Sequence, residues 1–137
     1  MSEALSVDLK NRLQWSLLSL RVGVFIVLGM WVLDKLVNPA HTAAVLNAFY
    51  GIGNASGSIV TIMGVLQLLL VLAFVAGIKK RLTYGLVFVM HAISTFATYE
   101  RYIDGLNNLL FFAAWPMLAA CLALYLLRDL DTKFTIK

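Results

Sequence analysis

Charged residues are scarce in this sequence, since only 13% of its 137 residues are Asp, Glu, Lys or Arg. A soluble domain carries about 25%, and hydrophobic residues reach 61% here. This composition excludes a soluble enzyme, a disordered regulator and a soluble nucleic-acid-binding protein. The net charge of +4 does not restore the last class, because the basic residues lie between apolar blocks and form no basic face. The sequence therefore predicts a membrane protein with no nucleic-acid partner.

The residues of the common catalytic chemistries are also missing. A single cysteine, Cys121, cannot form an intrachain disulfide, and its apolar surroundings predict a small packing residue. The two histidines, His41 and His91, are predicted about half a bilayer apart, which argues against haem or a metal site. The sequence contains no H-E-x-x-H, C-x-x-C or phosphate-loop motif. We therefore predict no catalytic residue, no metal ligand and no activity of the chain on its own.

Four apolar segments are each long enough to cross a bilayer, which takes about 20 residues. They cover residues 13–36, 58–78, 82–99 and 106–127. Because they leave only short connections, we predict a single all-α transmembrane domain over residues 1–137, built as a four-helix bundle. The one long connection starts with Asn38-Pro39 and reaches Gly51. Asn is a favoured N-cap, Pro suits the first helical position and Gly ends helices, so a short amphipathic helix is predicted between helices 1 and 2.

The charges at the ends of the spans predict orientation. Eight basic residues precede span one, fill the turn between spans two and three, or follow span four: Lys10, Arg12, Lys79, Lys80, Arg81, Arg128, Lys133 and Lys137. Cytoplasmic loops carry an excess of Lys and Arg, so both termini are predicted to be cytoplasmic. At the opposite ends of the spans, an outer charged collar is predicted to form a network of ion pairs; it consists of Asp34, Lys35, Glu100, Arg101 and Asp104.

A few polar residues fall inside the spans, where polar groups must face protein. At about 1.5 Å per residue from the cytoplasmic end, Arg21 lies roughly 9–12 Å deep, Gln67 roughly 16 Å and His91 roughly 14 Å. Gln67 and His91 therefore share a level, and a hydrogen bond between them is predicted. Helical spacing continues the polar lining from His91. The predicted ligand-binding residues are Arg21, Gln67, His91, Ser94, Thr95 and Trp115.

Two interpretations of these polar residues stay open on sequence grounds. Gln67 and His91 either hold helices together through hydrogen bonds or contact a bound ligand. Arg21 either extends to the cytoplasmic headgroups or binds an anionic or polar group.

Three segments resemble the DoxX-like family of small bacterial four-span membrane proteins. The first is Leu20-Arg21-Val22-Gly23-Val24-Phe25 with Gly29 and Lys35-Leu36 after it. The second is Gly64-Val65-Leu66-Gln67-Leu68, where the family usually has Glu at the position of Gln67. The third runs from Asn108-Leu109-Leu110-Phe111-Phe112 to Pro116-Met117-Leu118-Ala119-Ala120. The resemblance covers nearly the whole chain and implies a multi-pass protein of the bacterial inner membrane, linked in some members to sulfur or quinone redox chemistry.

We therefore predict an accessory subunit of a membrane redox system that holds a quinone or lipid in its bundle. Its expected partners are membrane lipid, a quinone, other redox subunits or further copies of the chain in a homo-oligomer. One alternative is an oligomeric permeation or transport module for a small solute, with Arg21 and the outer charged collar setting selectivity. Another is a structural subunit whose helices only pack against partners.

Overall fold

A computed structural model describes residues 5–53 and 56–136 of the chain. Within these ranges the fold is all-α and contains no strand. The helices are α1 (Val7–Val37), α2 (Pro39–Tyr50), α3 (Gly57–Val75), α4 (Lys80–Ala97), α5 (Tyr99–Ile103) and α6 (Ala114–Leu126). Three short 3-10 helices complete the described secondary structure, at Gly105–Asn107, Leu109–Ala113 and Arg128–Leu130.

Helix α1 starts earlier than predicted because a polar cap precedes the apolar block. The hydroxyl of Ser6 accepts a hydrogen bond from the backbone N–H of Leu9 at 3.1 Å, which satisfies a donor that the helix itself leaves free. The helix ends at Val37, two residues before Pro39, because proline disfavours the helical conformation of the residue before it.

The predicted short helix after span one is confirmed as α2. Asn38 occupies the N-cap position, Pro39 opens the helix, and Gly51 ends it with a φ of +69°. That left-handed conformation carries little penalty in glycine, which has no Cβ. Helix α2 packs against α1 and α3 through its buried residues Thr42 and Leu46, which lie one turn apart.

The last span, predicted over 106–127, is not a single α-helix. Residues 109–113 form a 3-10 helix, and the α-helix begins only at Ala114. Pro116 explains the break, since proline has no N–H and its ring would clash with the carbonyl four residues earlier in a longer α-helix. Pro116 therefore lies in the first turn of α6, where no donor is needed, and does not kink the middle of a span.

Three stretches are long and apolar enough to cross a membrane: Val7–Val37, Gly57–Val75 and Leu109–Leu126. Helix α1 packs against α3, α4 packs against α6, and α3 packs against α4. The shared core is aliphatic and aromatic and includes Cys121, which is 1% exposed, as its predicted packing role requires. The largest side chains in it are Leu17, Phe74, Tyr84 and Leu124.

The helix bundle has two chemically different ends. At the basic end, Gln14 of α1, Lys80 of α4 and the chain after α6 contact one another. The seven described basic residues of the predicted cytoplasmic group therefore share one end, while Lys137 lies outside the described residues. The opposite α2 end holds the C-terminal turn of α1, helix α2 and the residues around Thr98.

Candidate functional site

A cavity of about 930 Å³ lies between α1, α2, α3, α4 and the 110–120 segment. Along α1 it extends from Ser19 to Lys35, a length of roughly 24 Å at the helical rise per residue. Most of its lining is apolar, with contributions from Val24, Leu28 and Met117. Sites for small molecules are typically concave, mostly apolar and equipped with a few polar groups. This cavity has that character and is elongated.

The lining of the cavity includes four of the predicted ligand-binding residues, Gln67 on α3 and His91, Ser94 and Thr95 on α4. The predicted hydrogen bond between Gln67 and His91 is wrong, because Nε2 of His91 lies 3.0 Å from the carbonyl oxygen of Ala114. A carbonyl oxygen only accepts, so Nε2 carries the hydrogen, and Nδ1 of the neutral ring is left as an acceptor. The pairing differs because α4 packs closely on α6, which brings His91 to the start of that helix.

Further polar side chains line the cavity at its α2 end. The hydroxyl of Tyr50 donates a hydrogen bond to the hydroxyl of Ser94 at 3.0 Å. Thr42 and Thr98 line the same region, and Lys35 is the one Asp, Glu, Lys or Arg among the residues of the lining. Lys35 belongs to the predicted outer charged collar, and Thr42 is not among the predicted ligand-binding residues.

Trp115, a further predicted ligand-binding residue, is not part of the cavity lining. Its ring packs against Phe96 at 5.7 Å and Tyr102 at 5.5 Å between ring centroids, and 40% of the residue is exposed. Trp115 lies in the first turn of α6, and its two aromatic partners lie on α4 and α5.

Arg21, the remaining predicted residue, is 1% exposed, lies outside the cavity lining and forms a buried salt bridge. Its Nη1 lies 2.7 Å from Oδ1 of Asp131, while Nη2 donates to the carbonyl oxygen of Lys133 at 2.6 Å. The second carboxylate oxygen of Asp131 accepts a hydrogen bond from the hydroxyl of Tyr84 at 2.6 Å. Arg21 therefore does not line the cavity, and the anionic group that it binds is the carboxylate of Asp131 in its own chain.

The partners of Arg21 come from the chain after α6, which folds back over the basic end. The side chain of Gln14 contacts the carbonyl of Leu130 and accepts a hydrogen bond from the backbone N–H of Thr132 at 3.1 Å. Farther along, the backbone N–H of Ile136 donates to the carbonyl oxygen of Ala76 at 2.7 Å. Asp131 is 0% exposed, and the sequence-based predictions do not single it out.

The outer charged collar does not form the predicted network of ion pairs. Among the described residues, no salt bridge joins two of its members. Asp34 contacts Nδ1 of His41 at 2.6 Å, and Asp104 accepts a hydrogen bond from Asn107 at 2.9 Å. The guanidinium of Arg101 lies over the rings of Phe49 and Phe111. Aromatic and amide partners from α2 and the 3-10 helices thus replace the carboxylates.

Comparisons with protein-family models, curated proteins and solved structures find no match to this chain. Resemblance to the DoxX-like family therefore stays a prediction from the quoted residues. In the described part of the chain, no group of three or more His, Cys, Asp or Glu residues has metal-binding geometry. The cavity and the polar residues of its lining are thus the candidate functional site.

Proposed function

We propose that the chain is a DoxX-like four-helix bundle that crosses the bacterial inner membrane four times, with both termini in the cytoplasm. Three stretches have the required length and apolarity. The fourth span would be α4, whose 18 residues cover about 27 Å, close to the hydrocarbon thickness of about 30 Å. Its buried face carries Thr83, Tyr84 and Thr95. Its exposed face is an apolar stripe at helical spacing: Leu82, Leu86, Val89, Ile93 and Phe96.

Sidedness is supported by the basic end of the bundle. The N-terminal part of α1, the turn before α4 and the chain after α6 meet there and bring their Lys and Arg residues together. An excess of such residues marks the cytoplasmic side. Cysteine substitutions at Lys10 and at Ile52, modified in intact cells with a membrane-impermeant maleimide, test this topology. We expect labelling at residue 52 only; labelling at residue 10 instead would invert it.

Function is proposed to be the binding of a lipophilic ligand, a quinone or a lipid, by an accessory subunit of a membrane redox system. One observation carries the ligand part, namely an apolar cavity of about 930 Å³ with a few polar groups in its lining. The amide of Gln67 can donate a hydrogen bond to a carbonyl group of the ligand, and Nδ1 of His91 can accept one from a hydroxyl group. The redox part depends on the family resemblance.

Filling the cavity is the sharpest test of ligand binding, because α1 offers two glycines with open space around them. A Cβ at Gly23 or at Gly29 would meet no atom within 4 Å outside the local helix, and only Gly23 lines the cavity. Leucine at either position should also favour the helix by about 0.5–1 kcal/mol. We expect protein purified in mild detergent to retain about one lipophilic molecule per chain, found by extraction and mass spectrometry. Gly23→Leu should lose it, and Gly29→Leu should keep it.

Two outcomes would contradict this proposal. One is wild-type protein that carries no quinone or lipid in stoichiometric amount after gentle purification from native membranes. The other is Gly23→Leu protein that retains as much ligand as Gly29→Leu protein at equal thermal stability. Cross-linking in native membranes tests the redox part separately, since recovery of oxidoreductase subunits is expected.

The permeation alternative gains no support from the site. It assigned selectivity to Arg21 and to the outer charged collar. The guanidinium of Arg21 is held by Asp131 and by backbone carbonyls at the basic end, and Lys35 is the one collar member in the described cavity lining.

A further inference from the structure

Lys35 is a half-buried cation in a mostly apolar cavity. The described residues give its ammonium group neither a salt bridge nor a hydrogen bond. Its neighbour Asp34 is engaged by His41 at 2.6 Å. A charge without a partner in such surroundings is unfavourable, because neither water nor a counterion compensates it fully. A ligand that brings a negative charge would supply the missing partner.

Thr42 provides an independent indication at the same end of the cavity. Its side chain is 5% exposed, lines the cavity, and has a hydroxyl without a hydrogen-bond partner. Buried polar groups in proteins are nearly always hydrogen-bonded, so each exception requires an explanation. A ligand oxygen that accepts the hydroxyl hydrogen explains both Thr42 and Lys35.

Close packing of α1 on α3 fixes the position of Lys35. A Cβ added at Gly64 would lie 3.2 Å from the Cβ of Lys35 and 2.9 Å from the Cδ2 of Leu36. The base of the lysine side chain is therefore held against α3, and Lys35 is part of the cavity lining. This restraint reduces the entropy lost when the ammonium group engages a ligand.

We propose that the α2 end of the cavity binds the carboxylate headgroup of a long single-chain amphiphile, such as a fatty acid. Lys35 would pair with the carboxylate, Thr42 would donate to it, and the chain would lie along the apolar lining of α1 toward Ser19. This inference rests on the proposed function and selects a ligand class within it. One cation matches one negative charge, and the volume is at the upper end of the usual range for a single small ligand.

A pair of probes that differ only in the headgroup tests this inference. Delipidated full-length protein in detergent would be titrated with hexadecanoate, with hexadecanol and with decylubiquinone, at fixed pH and salt. Since hydrogen bonds to charged groups are worth about 1.5–3 kcal/mol, we expect hexadecanoate to bind at least about tenfold tighter than hexadecanol. Lys35→Met should abolish this preference by weakening the binding of hexadecanoate far more than that of hexadecanol.

Two further variants keep the test independent of folding. Thr42→Val keeps the shape of the side chain, so it should fold at least as stably as wild type and bind hexadecanoate several-fold more weakly. Lys10→Met removes an exposed cation at the basic end and should leave the affinities for all three probes unchanged.

The possible outcomes separate this inference from the proposed function. Equal affinity for acid and alcohol, or unchanged preference in Lys35→Met, overturns the carboxylate site. Tight binding of decylubiquinone alone does the same but supports the proposed function. A stoichiometric two-chain phospholipid in purified protein overturns the single-chain assignment. Failure to bind any of the three probes contradicts the proposed function itself.

Discussion

Replacing Arg21 by Met is expected to lower the free energy of unfolding by about 3–5 kcal/mol, the usual cost of leaving one partner of a buried ion pair alone. Arg21 and Asp131 are 1% and 0% exposed, and no other cation forms a salt bridge with Asp131 among the described residues. Methionine keeps much of the aliphatic volume of the arginine stem, so the loss would report the charge and its hydrogen bonds. Reversible unfolding in detergent micelles, followed by tryptophan fluorescence, measures it.

A second substitution distinguishes the charge from the packing. Asp131→Asn removes the charge and keeps an acceptor for the hydroxyl of Tyr84, so adding it to Arg21→Met should recover about half of the lost stability. Arg12→Met is the matched control, because its salt bridge with Asp8 is exposed and such pairs contribute less than about 1 kcal/mol. Equal effects of Arg21→Met and Arg12→Met would contradict the buried pair.

Among the glycines in turns, replacing Gly77 by Ala is expected to lower the free energy of unfolding the most. Gly77 has a φ of +73°, which costs a residue with a Cβ about 1–2 kcal/mol. A Cβ there would also lie 2.6 Å from the Cβ of Thr135, so the chain after α6 must move. Overpacking of this kind adds about 1–3 kcal/mol. We expect thermal unfolding at lower temperature and faster proteolysis after α6.

Gly51 provides the matched control for the backbone contribution. Its φ is +69°, but a Cβ there would meet nothing within 4 Å. Gly51→Ala should therefore show the backbone cost alone, and Thr135→Gly should relieve the excess cost of Gly77→Ala. If both glycine variants lose the same stability and keep the same proteolytic pattern, the chain after α6 does not pack on Gly77 as described.

Local signals predict much of the fold. The sequence from Asn38-Pro39 to Gly51 contains both boundaries of α2, because a cap, a proline and a left-handed glycine act within one turn. The polar spacing of α4 predicts a lined face, and four of the six predicted ligand-binding residues line one cavity. Each boundary of α2 and the lined face of α4 depend on residues less than about two turns apart.

Contacts between residues far apart in the sequence cannot be predicted from such local patterns. Arg21 and Asp131 lie 110 positions apart, so no spacing links them. A deep arginine does require a partner, but the sequence offers seven acidic residues and no rule to choose among them. The sequence does not single out Thr42 either, because a threonine on a short helix is common. Only the structure shows that its hydroxyl is buried without a hydrogen-bond partner. The sequence also does not show that Trp115 lies outside the cavity lining, because the direction of its side chain depends on where α6 begins.

A density map of the full chain in native-lipid nanodiscs tests ligand binding most directly. We predict an elongated density in the cavity, running along α1 from the level of Ser19 to Lys35, with its polar end within hydrogen-bonding distance of the lysine ammonium and the Thr42 hydroxyl. Gly23→Leu protein prepared in the same way should lack this density, and Gly29→Leu protein should show it. A wild-type map with a well-ordered but empty cavity, or one closed by its own side chains, would contradict a ligand-binding function.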